Sequence, residues 1–311
     1  MIKFIAIFTL GMFAYALLAW SGQRLLQSKT SQGSKQGRWI TVTSGHQLFV
    51  IELNPDPSLP TILIETGIDA PTPLILPLAR ALSDSARVIF YDRFNSGLSR
   101  GRVKETSLDQ ANRDTFDLLN QLSISQPFFY IGYSIGAIYT KQFHYRYPDK
   151  VKGMVLIDPP LPEELELPKE ILDQEWYSYL KSLERQTLFA RIGLPLIKLA
   201  ITSMTKEVSI YQAISSSYHH LNIASIEART LYEKSNETDW SLGETPTRII
   251  TGGSPDDQTR KFLISIQKNF ASQGENAEQI TFPNTSHGDF LVQPHHKNLS
   301  ETIKTFIKSQ T

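Results

Sequence analysis

Ser134 stands between two glycines in Gly132-Tyr133-Ser134-Ile135-Gly136, a setting in which a serine can serve as a nucleophile. The hydroxyl is a weak attacker alone and needs a base within hydrogen-bond reach. Among seven histidines, His287 is singled out by its place just beyond an apolar stretch and beside a glycine, in Asn284-Thr285-Ser286-His287-Gly288. His46 falls in a hairpin-like turn, His144 on a helical stretch, and His219 and His220 in a helical region. Packing or surface roles suit these four better, and His295 and His296, after Pro294, are a second choice. A carboxylate that holds the imidazole in one tautomer would complete the set for acyl transfer.

The elements around Ser134 are those such a serine requires. Phe128-Phe-Tyr-Ile-Gly132 reads as a buried strand, and a helix runs from the second glycine to Tyr147, before Pro148. Strand, G-x-S-x-G and helix form a sharp elbow that lifts the hydroxyl out at the carboxyl end of a strand. Further strands are expected at 39–43 and 47–53 as a hairpin, then at 61–65, 87–92, 151–158, 248–251 and 278–282. Leu108, Ala111, Thr115, Leu118, Leu119 and Leu122 recur at helical spacing, and helices are also expected at 258–270 and 299–307. Short apolar strands alternating with helices imply a mostly parallel, doubly wound α/β sheet covered on both faces. Such sheets carry their sites at the carboxyl ends of strands. Residues 159–243 break the rhythm with helical patterns and no strand signal, as a cap inserted over those ends.

Composition narrows the partners. Lysine plus arginine and aspartate plus glutamate are both 31, so nothing favours nucleic acid. No cysteine is present, which excludes disulfides, thiolate catalysis and cysteine-ligated zinc. No Walker or G-x-G-x-x-G motif supports nucleotide binding. At the amino end, Phe4 to Trp20 carries no charge. This predicts a hydrophobic helix over residues 1–24, read as a single membrane anchor, with Ala19-Trp20-Ser21 as the alternative of a cleaved signal. Arg24, Lys29, Lys35 and Arg38 outnumber Lys3, which favours a cytoplasmic catalytic domain. Residues 25–37, rich in Ser, Gln, Gly and Lys, are then expected to be a linker.

Over residues 38–311 the chain resembles the α/β-hydrolase-fold superfamily, in particular its esterase- and lipase-like members with a helical cap. The resemblance rests on the elbow, on Glu65-Thr66-Gly67 after the third strand, and on Tyr91-Asp92-Arg93-Phe94-Asn95-Ser96-Gly97-Leu98-Ser99. It implies a core of 38–158 and 244–311 with the cap at 159–243. It also implies the order serine, acid, histidine, with Ser134 as nucleophile and His287 as base. For the acid, Asp256 keeps the family's spacing from Gly253 and is preferred, with Asp257 beside it and Asp158 after the sixth strand as alternatives. The oxyanion would be held by the backbone N–H groups of Ile135 and, by position, Ile68. Thr66-Gly67 replaces the usual His-Gly, and Tyr133 the commoner elbow histidine. Asp92 and Arg93 are expected to be a structural pair that organises the loops.

The reading is a serine hydrolase of a carboxylic ester or related acyl bond, needing neither cofactor nor metal and acting on a small-molecule substrate. Peptidase, thioesterase and C–C bond hydrolase chemistry use the same triad, and a catalytically silent binding protein is the alternative from a different class.

Overall fold

The computed structural model describes residues 2–311 apart from 95, 102–106, 168–175, 205, 208, 254–257 and 293. Eight strands form one sheet: β1 (Arg38–Thr41), β2 (Gln47–Leu53), β3 (Thr61–Glu65), β4 (Arg87–Asp92), β5 (Phe128–Tyr133), β6 (Val151–Ile157), β7 (Thr247–Gly253) and β8 (Ala277–Pro283). Their order is β1-β2-β4-β3-β5-β6-β7-β8. β2 is antiparallel to both β1 and β4, and every other pairing is parallel.

Period-two side-chain alternation sends each central strand into two apolar layers. Leu63, Tyr130, Met154, Leu156 and Ile249 pack on one face with Leu118 of α3 (Leu108–Gln121), Ile138 and Phe143 of α4 (Gly136–Arg146), and Phe270. Ile64, Phe129, Ile131, Val155, Ile157 and Ile250 pack on the other with Leu78 of α2 (Thr72–Leu82) and with Leu299, Ile303 and Phe306 near the carboxyl terminus. Both faces are covered, so β5 and β7 are buried throughout, β5 as its continuous apolar run anticipated. At the edge of the sheet, β8 alternates between half-buried and exposed positions.

Between β6 and β7 the described residues form a 3₁₀ turn at Pro162–Glu166 and five helices. These are α5 (Ser178–Arg191), α6 (Leu194–Ser203), α7 (Ile210–Ile214), α8 (Tyr218–Arg229) and α9 (Leu231–Asn236). After β7 come α10 (Gln258–Ala271) and, following β8, α11 (His295–Ser309).

The amino-terminal expectation of a membrane anchor is corrected. Among the described residues no helix is long and apolar enough to cross a membrane. A helix, α1, does form, but it runs without interruption from Ile2 to Ser34. Its uncharged part, Phe4 to Trp20, rises only about 25 Å at 1.5 Å per residue, against about 30 Å of hydrocarbon. Ser21-Gly22-Gln23-Arg24 then ends the apolar run while the helix continues. Residues 25–34, expected as part of a linker, are its last ten residues. Gly22 lies so close to α6 that an added Cβ would meet the Leu196 carbonyl at 1.9 Å, and Leu25 and Leu26 pack on Leu199 and Ala213. Apolar contact with the inserted helices, rather than a tether, holds this segment.

Candidate active site

Four of the six positive φ angles described for residues other than glycine gather at one end of the sheet. Positive φ at a residue other than glycine costs roughly 1–3 kcal/mol and persists where the surroundings impose it. Ser134 (φ 55°) follows β5, Asp158 (φ 47°) follows β6, Asn284 (φ 54°) follows β8, and Asp69 (φ 54°) ends the turn after β3. All four lie beyond strand carboxyl ends.

At the elbow, the Ser134 N–H donates to Ile157 O at 2.9 Å, tying the turn to the neighbouring strand. The two glycines are required by close approach. A Cβ at Gly136 would come within 2.4 Å of Glu65 O, and one at Gly132 within 2.6 Å of Ala137 Cα. The turn after β3 is equally close, since a Cβ at Gly67 would sit 3.1 Å from that of Ser134. Ile68, the next residue, and Ser134 line the same cavity. Ile135 is buried at the amino end of α4.

His287 opens a 3₁₀ turn, His287–Leu291, after β8. Its Nδ1 lies 2.7 Å from Asp158 Oδ2. An ionised carboxylate only accepts, so Nδ1 carries the proton in that contact. Asp158 is itself anchored: its N–H donates to Ile250 O at 2.7 Å, Gly252 N–H donates to its Oδ1 at 3.2 Å, and Arg260 Nη1 donates to its Oδ2 at 2.8 Å. Burial works against ionisation of Asp158. The hydrogen bond and charge of His287, together with Arg260, outweigh it and hold the carboxyl below its ordinary value.

The imidazole Nδ1 is thus taken by Asp158, the last of the three expected acids. Asp256 and Asp257 lie outside the described residues. The preference for Asp256 came from spacing alone, while the histidine contact belongs to the residue one strand earlier in the chain.

Tyr133 has a part the sequence did not suggest. Its ring stacks on His287 (centroids 5.2 Å apart, 22° between planes) and its hydroxyl donates to His287 O at 2.7 Å. Asp92 and Arg93, expected as a pair, act separately. Asp92 accepts from the N–H groups of Thr72 (2.7 Å) and Leu98 (2.8 Å), and burial pushes its carboxyl up to about 6 despite them. Arg93 instead bonds Glu65 and, from α8, Glu227.

The cavity occupies about 580 Å³, within the range of small-molecule sites. Ser134, His287, Asp158, Ile68 and Asp69 line it from the sheet side, and Glu164, Trp176, Tyr179, Tyr211 and Leu231 from the inserted segment. Glu164 is buried, and burial pushes its carboxyl up to about 8 although it accepts the Leu161 N–H. Asp69 faces a second histidine, His220 of α8, with Nε2 at 2.7 Å from Oδ1. Among the described residues no group of acidic and histidine side chains could hold a metal ion.

A family pattern described as the alpha/beta hydrolase fold matches residues 60–200. RutD of Agrobacterium fabrum (strain C58 / ATCC 33970), provisionally named a carbamate hydrolase, is 27% identical over 111 residues, 35% of this chain and 42% of its own. The matched stretch spans about two-fifths of the curated relatives' length. In structure, the chain is similar to MGS-M2, an α/β-hydrolase enzyme from a Medee basin deep-sea metagenome library, with TM-score 0.63, 21% identity, and 87% of this chain and 97% of that one covered. It is also similar to the esterase EaEST from Exiguobacterium antarcticum, with TM-score 0.64, 15% identity and coverage of 88% and 99%.

Proposed function

We propose that this chain, which has the α/β-hydrolase fold, is a serine hydrolase that cleaves a carboxylic ester or related acyl bond. The observation that carries the reading is the 2.7 Å contact of His287 Nδ1 with buried Asp158, at the wall of a cavity that also holds Ser134 on its strained elbow. In this reading residues 38–158 and 244–311 do the chemistry, and residues 159–243 cover the site and select the substrate.

Ser134 Oγ attacks the carbonyl carbon as its proton passes to His287 Nε2, left available because Asp158 keeps the ring proton on Nδ1. The tetrahedral oxyanion is held by the N–H groups of Ile135 and Ile68. The imidazolium, steadied by the Asp158 carboxylate, returns its proton to the leaving alkoxide, and an acyl-Ser134 ester remains. Water then attacks that ester while His287 takes its proton, releasing the acid and restoring the serine. Each proton lost is regained within the cycle, so the chemistry calls for no metal or redox group. The apolar wall from Ile68, Trp176 and Leu231 suits an apolar acyl or alcohol portion.

The test is hydrolysis of p-nitrophenyl esters graded by acyl length, paired with labelling by a fluorophosphonate. Wild type should turn over and be labelled, and Ser134→Ala should do neither. A folded wild-type chain that does neither would overturn the reading in favour of a non-catalytic binding protein.

A further inference from the structure

One charged side chain joins the inserted helices to the turn that carries Ile68. Arg93 is only 4% exposed. Its Nη1 donates to Glu65 Oε1 at 2.8 Å and to Thr66 O at 2.6 Å. Its Nη2 reaches Gly67 O at 3.4 Å and Glu227 Oε2 at 3.0 Å, and its Nε donates to Glu227 Oε1 at 3.1 Å. The rigid guanidinium fork suits this role, because its nitrogens hold fixed directions. Tyr130 and Tyr91 donate to the other oxygen of Glu65. Tyr139 donates to Glu227 at 3.2 Å and places its ring 4.5 Å from the guanidinium.

The two carbonyls that Arg93 holds have partners at the far ends of their peptide groups. Gly67 C=O and Ile68 N–H belong to one planar unit, and in the trans form they point in opposite directions. The same holds for Thr66 C=O and Gly67 N–H. Drawing both oxygens toward Arg93 therefore turns both N–H groups away from it. The turn has Tyr133 and Ser134 against Gly67. The geometry points to Arg93 as the positioning residue of the oxyanion-binding turn, and to Glu227 as the hold of α8 upon it, so that full activity requires α8 to be seated.

This rests on the hydrolase reading above and deepens it. The seating is two-point. His220 and Glu227 are seven residues apart on α8 and so share a face, and His220 grips Asp69 at the far end of the same turn. Lifting α8 would strip Arg93 of one carboxylate and leave Glu227 to find another partner, which makes a half-seated state costly.

The experiment compares wild type with Glu227→Gln, which keeps shape but removes the charge, and Arg93→Lys, which keeps charge but removes the fork. Four quantities are read: kcat and KM for a p-nitrophenyl ester, inhibition by a trifluoromethyl ketone, and inhibition by the product carboxylic acid. The ketone adds to Ser134 and sets an oxyanion among the same N–H groups, whereas the acid only occupies the cavity. In Glu227→Gln, kcat and ketone affinity should fall together by about 10- to 100-fold, short of the full loss of an oxyanion donor. KM and acid affinity should stay within about threefold. Arg93→Lys should lose more, and if it does not fold, Glu227→Gln decides alone. A folded Glu227→Gln variant with wild-type kcat and ketone affinity overturns the inference while leaving the hydrolase reading intact. A rise in KM with kcat unchanged does the same. A wild-type chain with no turnover and no labelling fails the hydrolase reading itself, which separates the two failures.

Discussion

Two aspartate–histidine pairs meet the same cavity, one through Asp158 and His287 and the other through Asp69 alone, and their differences are instructive. In the first, the His287 side chain is 42% exposed and Asp158 only 3%. Nδ1 is spent on the carboxylate, and Arg260 and the Gly252 N–H anchor that carboxylate from behind. In the second the exposure is reversed, with His220 at 1% and Asp69 at 22%. Nε2 of His220 meets Asp69, while Nδ1 accepts the Gly97 N–H at 3.3 Å, so both ring nitrogens are committed. A base needs one nitrogen left for the reacting proton, and only the first pair meets that condition. Identical residue types thus form, in our proposal, a catalytic couple in one pair and a clasp in the other.

The largest expected contrast lies in the histidines. His287→Ala should lower kcat/KM by at least about 10³-fold, the scale of losing a triad base, whereas His220→Ala should cost less than about tenfold. Steady-state kinetics on the ester best used by wild type checks both. A comparable loss in both variants would erase the distinction. Next come the carboxylates: Asp158→Asn should lower kcat by about 10³- to 10⁴-fold, because the ring would lose its tautomer and the imidazolium its counter-charge. Asp69→Asn should cost less than about tenfold in kcat/KM.

In stability the order inverts. His220→Ala leaves the half-buried Gly97 N–H unpaired and takes one of two hydrogen-bond partners from Asp69, which keeps the Ser215 hydroxyl, at a cost of about 1–3 kcal/mol in urea denaturation. His287→Ala should cost less than about 1 kcal/mol, since the ring is half exposed and Arg260 still holds Asp158.

A further effect, visible through pH, concerns Glu164, whose carboxyl burial raises from 4.5 to about 8. Between those values the folded chain holds a proton that the unfolded chain has released, so this residue lowers stability as pH rises from about 4.5 through 8. Glu164→Gln should flatten that decline, visible as a Tm gain over wild type at pH 8 that disappears near pH 4. An equal gain at both pH values would assign it to packing instead.

Much of this frame was readable in advance. Strands β3, β4 and β5 and the elbow announce themselves through continuous apolar runs that end at Gly132 or at polar residues, because strands buried on both faces leave no alternation. The place of His287 just past the last strand was legible for a related reason: it follows an edge strand and begins a turn. Its carboxylate partner was not. Asp158, Asp256 and Asp257 all follow apolar strands in sequence, and spacing says nothing about which loop bends toward His287. The one available signal was Asp158 held against Pro159-Pro160 at a strand end, a place where the backbone cannot continue the ladder. The Arg93–Glu227 contact, between residues 134 apart, carries no local pattern at all. Neither does the packing of α1 on α6, which is made by Gly22, Leu25 and Leu26 beyond the apolar run.

If the Asp158–His287 couple activates Ser134, as proposed, the rate at which a fluorophosphonate modifies Ser134 depends on that couple. Modification of Ser134, located by peptide mass, should slow by at least about 10²-fold in Asp158→Asn relative to wild type. It should remain near the wild-type rate in Asp69→Asn. Equal rates in wild type and Asp158→Asn, or a comparable slowing in both variants, would contradict the account.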